Sequence, residues 1–131
     1  MPSPNISTRV STNSSDTMTA RDLTSKHCTP REGEPFSRKQ ADELLQNLHG
    51  AWAIDESGKE ISRTFKFSNY YQTMAFVNAI AWIVHAEDHH PDLEVAYNRC
   101  HVRFSTHSIG GLSENDFICS ARIDTLLPTD N

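Results

Sequence analysis

Residues 85–108 read HAEDHHPDLEVAYNRCHVRFSTHS, and the fold turns on how this stretch is parsed. Pro91 biases His90 away from helical geometry, so a helix arriving from upstream must stop before it. Beyond the proline, Leu93, Val95 and Tyr97 alternate with Glu94, Ala96 and Asn98, the pattern of a half-buried strand. Asn98-Arg99 reads as a tight turn. Val102, Phe104 and Thr106 then alternate with His101, Arg103, Ser105 and His107, which gives a return strand. The stretch is therefore the end of a helix, a break, and a hairpin.

Upstream, Asn69 to about Asp88 is strongly helical in pattern. Tyr70, Met74, Val77, Ala81 and Val84 form one stripe, and Phe76, Ile80 and Ile83 a second. A helix apolar on more than one side is usually buried on more than one side. One face is expected to cover a sheet and the other to meet a partner subunit. Before it, AWAIDESGKEISRTFKF (51–67) reads as a hairpin turning at Ser57-Gly58, with Ile61, Phe65 and Phe67 on one parity. Arg63 sits on that parity and leaves the register less sharply defined. Ser37 caps a preceding helix that carries Ala41, Leu44, Leu45 and Leu48, with Gly50 read as its stop. Downstream, Ile109-Gly110-Gly111 makes a loop and Ser113-x-x-Asp116 opens a last helix. The order α-β-β-α-β-β-α predicts an α+β two-layer sandwich on an antiparallel sheet.

The chain has 131 residues, room for one domain. Residues 36–127 are expected to form it. Residues 1–20, rich in Ser, Thr, Asn and Pro, read as a disordered leader, since they cannot offset their conformational entropy by burial. A transit peptide and a true start at Met18 are the other readings of that leader. Residues 21–35, with Pro30, Gly33 and Pro35, read as an N-terminal arm. The net charge of −5 argues against a general nucleic-acid binder. No apolar run approaches the ~20 residues of a membrane span. Cys28, Cys100 and Cys119 are odd in number and widely spaced, which reads as reduced thiols in the cytoplasm rather than a disulfide framework.

Five histidines fall in the quoted stretch: His85, His89, His90, His101 and His107. Histidine exchanges a proton near neutral pH without help, so such a concentration marks a candidate proton-transfer site. His85 and His89, four apart on a helix, also form a possible pair of zinc ligands, but no further ligands follow in pattern. His89 and His90 straddle the helix exit, where adjacent side chains can diverge and border one cavity. His107 lies at the end of the return strand; alone it would read as a solvent-exposed residue.

The pattern His85-x3-His89-His90-Pro91-x5-Tyr97-x9-His107-x8-Asp116 resembles the signature of the pterin-4a-carbinolamine dehydratase family. Phe65-x-Phe67, Ser105-Thr106-His107 and Gly111-Leu112-Ser113 extend the resemblance over about residues 36 to 127. The resemblance implies a four-stranded antiparallel sheet with helices on one face, assembled as a dimer or tetramer. It implies dehydration of 4a-hydroxytetrahydropterin, the by-product of aromatic amino acid hydroxylases, with tetrahydrobiopterin recycled. It carries His89, His90 and His107 over as catalytic residues, with neither cofactor nor metal. His85, Pro91, Tyr97, Ser105, Thr106 and Asp116 are then expected at the substrate. Tyr97 also reads as a core residue, and Asp116 as a helix cap. A carboxylate is common where this chain has His85, and could orient a catalytic histidine, so a changed rate or pH optimum is expected here. Members of the family also serve as dimerisation partners of a transcription factor, so a non-catalytic binding module is the alternative reading. An enzyme of another pterin or molybdopterin pathway is a further one.

Overall fold

The structure is a computed structural model, which describes residues 20–128. The leader expected over 1–20 falls outside the described residues except for Ala20. That residue opens helix α1 (Ala20–Thr24), an element with no counterpart in the sequence reading. Then follow α2 (Arg38–Leu45), β1 (Ala53–Ile54), β2 (Ile61–Lys66), α3 (Tyr70–Glu87), β3 (Asp92–Ala96), β4 (Arg99–Phe104), a 3-10 turn (His107–Ile109) and α4 (Glu114–Asp124). The strands form one antiparallel sheet in the order β1-β2-β4-β3.

Strand alternation divides the sheet into a dry face and a wet one. Ile61, Phe65, Cys100, Val102 and Phe104 are buried and point to the helices. Ser62, Thr64, Glu94, His101 and Arg103 point the other way, where Arg103 pairs with Glu94 at 2.6 Å and Thr64 bonds His101 at 2.7 Å. The α+β layering, with its helices on one face, is as the sequence predicts. On the dry face Phe76 of α3 meets Phe65 and Phe67, at ring separations of 4.5 and 5.0 Å. Arg63 does lie on the core parity. Its guanidinium covers the Phe65 ring at 4.2 Å and pairs with Asp124 of α4 at 2.8 Å, which reconciles a charge with that register. The Trp52 indole N–H donates to the same carboxylate at 2.8 Å, so one acid ties the first hairpin to the last helix.

Four local expectations need correction. α2 has its Ser37–Gln40 capping box, but it ends at Leu45, and isolated turns replace the final helical turn. Gly50 is not among the residues with positive φ, so it is not the left-handed stop. α3 stops at Glu87 because Asp88 adopts the left-handed conformation (φ 53°, ψ 43°), before Pro91 can act. The β3–β4 turn is Tyr97-Asn98, with Ala96 paired to Arg99. The turn thus sits one residue earlier than read, because Arg99 already belongs to the ladder. Tyr97 is consequently a turn residue, 64% exposed, and not part of the core. The alternation that includes it simply runs past the end of the strand.

Candidate active site

The left-handed Asp88 swings the chain off the α3 axis, so His89 does not continue the row begun by His85. The His89 N–H still reaches back to the Val84 carbonyl at 3.2 Å, which fixes the residue at the helix exit. Its ring lies flat on Phe104, centroids 5.8 Å apart and planes 8° apart. Behind it, Nε2 meets Asp116 Oδ1 at 2.6 Å.

Asp116 is fully buried on the first turn of α4. Its Oδ2 accepts from the Ser113 N–H at 2.9 Å and from the Thr106 hydroxyl at 2.8 Å; that hydroxyl in turn bonds Ser113 Oγ at 2.7 Å. The sequence reading of Asp116 as a cap is therefore correct, and the same carboxylate also holds His89. A buried carboxylate that only accepts leaves Nε2 of His89 as the donor. Nδ1 is then the ring nitrogen free to exchange a proton.

A cavity of about 610 Å³ opens in front of this array. His89, His90 and His107 all line it, with Pro91, Ser105 and Thr106. His107 lies just past β4 in the 3-10 turn, whose C-cap Gly110 (φ 71°) is left-handed. Gly111 then bridges back to Thr106, closing the loop that carries His107 over the cavity. Thr106 and Asp116 thus reach the site together, Thr106 in the wall and Asp116 behind His89.

Two expected site residues lie elsewhere. His85 is exposed on the last turn of α3, outside the lining, and Tyr97 is at the β3–β4 turn. His101 is on the wet face of the sheet, bonded to Thr64. The helix end at Glu87 parts His85 from His89, the two members of the possible zinc pair. Among the described residues no group of three or more His, Cys, Asp or Glu is placed to hold a metal ion.

The opposite wall was not legible in the sequence. Cys28, Thr29, Pro30 and Arg31 of the N-terminal arm complete the cavity, together with Glu87 and Asn115. Asn115 grips the arm with both ends of its amide. Its Oδ1 accepts from the Thr29 N–H at 3.2 Å and Arg31 Nε at 2.9 Å, and its Nδ2 donates to the Thr29 carbonyl at 2.7 Å. Glu87, almost fully buried, takes the Cys28 N–H at 2.7 Å and the His27 ring at 2.9 Å. Burial pushes the Glu87 carboxyl up, but the Cys28 N–H, His27 and Arg122 outweigh it and hold the group below its ordinary value. An arm of this composition shows no periodicity, so only the buried partners Glu87 and Asn115 could have betrayed it.

Fold and cavity together define a small α+β protein whose three clustered histidines share one site. The chain matches the family model described as pterin 4 alpha carbinolamine dehydratase over residues 34–126, and it belongs to that family. A protein of Nitrosomonas eutropha that carries this name provisionally is 56% identical over 108 residues, 81% of this chain and 94% of that one. A provisionally named homologue from Legionella pneumophila (strain Lens) is 55% identical over 108 residues, 81% of this chain and 96% of its own. Among solved structures, a transcriptional coactivator/pterin dehydratase from Brucella melitensis superposes with a TM-score of 0.67 at 28% identity, covering 71% of this chain and 98% of that one. A pterin dehydratase-like RuBisCO assembly factor of the alpha-carboxysome matches at a TM-score of 0.52 and 23% identity, over 60% of this chain and 90% of its own, which shows the fold alone. Among the described residues no helix is long and apolar enough to cross a membrane.

Proposed function

We propose that the protein dehydrates a 4a-hydroxytetrahydropterin to the quinonoid dihydropterin and water. The observation that carries this reading is the convergence of His89, His90 and His107 on one cavity, with His89 braced by a buried carboxylate. The carbon–oxygen bond at C4a breaks as a histidine protonates the departing hydroxyl, which leaves as water. A ring N–H gives its proton to a second histidine, and its electron pair forms the new carbon–nitrogen double bond. No electrons change hands with the protein. General acid–base catalysis of this kind is worth typically about 10²–10⁴-fold.

Pro91, Ser105 and Thr106 would line the pterin, and Asp116 serves as the positioning residue behind His89. Such an enzyme would support tetrahydrobiopterin recycling beside an aromatic amino acid hydroxylase, in the cytoplasm. We place the subunit contact of a homodimer or homotetramer on the outer face of α3, where Tyr71 and Trp82 are 82% and 75% exposed.

Stopped-flow measurement of 4a-hydroxytetrahydropterin breakdown tests the reading, comparing the wild type with His89→Ala and His107→Ala. Acceleration by the wild type, lost in both variants with circular dichroism unchanged, is the expected result. No acceleration by the wild type would favour a non-catalytic binding module, a role that the paired description of the Brucella melitensis relative brings to mind.

A further inference from the structure

Two of the three cysteines, 91 positions apart in sequence, meet just behind the cavity wall: Cys28 Sγ lies 3.6 Å from Cys119 Sγ. Cys28 belongs to the arm, is partly exposed and lines the cavity. Cys119 is buried on α4, one turn beyond Asp116, with its Sγ 3.9 Å from the His89 carbonyl. Cys100 is buried in the strand β4 and paired in neither contact.

We propose that Cys28 and Cys119 form an oxidation site for peroxides, closing to a disulfide that fastens the arm onto α4 beside the histidine cavity. A disulfide requires sulfur atoms about 2.05 Å apart, so the pair must close by roughly 1.5 Å. The arm can supply that movement, since it has no sheet or long helix of its own to deform. Cys28 is the thiol a small oxidant in the cavity reaches first. The Cys119 thiol is pushed up by its contact with Cys28, by burial, and by the Glu87 and Asp116 carboxylates, so it does not react first. It is the resolving partner by position, buried 3.6 Å from Cys28, and gives up its proton as it attacks.

The chemistry balances with one peroxide. The Cys28 thiolate attacks a peroxide oxygen, the O–O bond breaks, and the departing hydroxide takes up a proton to leave as water. Cys28 becomes a sulfenic acid. The Cys119 sulfur then attacks the Cys28 sulfur, the S–O bond breaks, and the proton of Cys119 leaves with the second water. Both sulfurs are oxidised and the peroxide is reduced to two waters.

The test is hydrogen peroxide treatment of the full chain, followed by denaturation in iodoacetamide and intact mass measurement. Reduced protein carries three alkylatable thiols. The expected result is loss of two of the three, with a mass lower by two hydrogens before alkylation. Proteolytic mapping should then join the peptides of Cys28 and Cys119. Cys28→Ser and Cys119→Ser should each abolish the cross-link, and thiol reductant should reverse it in the wild type. Disulfide-linked dimers, a Cys100 cross-link, oxygen added to Cys28 with Cys119 still alkylated, or no change at all would overturn the proposal. A reversible fall in turnover on oxidation is also expected. That readout alone rests on the dehydratase reading, and the mass measurement stands whether or not the protein turns over a pterin.

Discussion

His89 and Asp116 stand 27 positions apart and meet at 2.6 Å, the contact on which the proposed acid–base role of His89 rests. Replacing Asp116 with Asn keeps the size of the side chain but removes the anion that fixes the ring. Turnover is expected to fall by on the order of 10²-fold, within the usual span of acid–base contributions. Stopped-flow rates beside circular dichroism check this; an unchanged rate would deny Asp116 any positioning role. Position 85 behaves differently. The orienting carboxylate that its departure from the family pattern puts in question is supplied by Asp116, and His85 itself lies outside the cavity. His85→Glu is therefore expected to leave the pH–rate profile where it is, and a displaced optimum would show that the residue reaches the site after all. Most of the cavity's histidine side was legible because helix break, strand end and capping box fall at fixed spacings. The distinction between His85 and His89 was not, since it depends on one left-handed aspartate.

At the scale of elements, that aspartate and the arm are the features to probe. An L-residue in the left-handed region costs roughly 1–2 kcal/mol, which Asp tolerates better than most. Asp88→Val is expected to lose about that much stability in urea denaturation, whereas Asp88→Gly should be tolerated. Beside Asn115, the arm is held by Glu87, whose carboxyl is depressed on folding. The depressed group contributes stability that is present above its unfolded pKa and vanishes as pH drops through the lower folded value. Hydrogen exchange should thus show residues 27–31 opening under acid before the sheet does. In Glu87→Gln that acid sensitivity should disappear, with the arm already loosened at neutral pH. Arm release at the same pH in both proteins would assign the effect to other groups. No pattern in residues 21–35 announced this docking, because irregular segments are held by side-chain partners distant in sequence.

For the molecule as a whole, the two-faced sheet was the most legible feature, since strict alternation in β4, matched in β2 by all but Arg63, leaves one assignment of faces. The boundaries moved wherever turn geometry rather than apolar spacing decides, as at Tyr97-Asn98 and Leu45. Phe104 joins core and site: it is fully buried, and His89 lies on its ring. Phe104→Ala is expected to cost about 3–5 kcal/mol. Phe104→Leu should cost less while still lowering turnover. A leucine variant with native activity would mean that the carboxylate alone positions the histidine. The outer face of α3 offers a test of assembly: Trp82→Glu should shift the protein to a smaller species in light scattering, and an unchanged mass would move the contact elsewhere.

The cavity is also built from both ends of the described chain, with Cys28 to Arg31 on one wall and α4 behind the other. During synthesis the arm leaves the ribosome before its anchors: Glu87 lies 59 positions beyond Cys28, and Asn115 lies 86 beyond Thr29. Until α4 emerges, His89 lacks its carboxylate and the arm lacks one of its two buried grips. On the proposed function, a product truncated before α4 is therefore expected to be inactive, since its three histidines would stand without the residue that braces one of them.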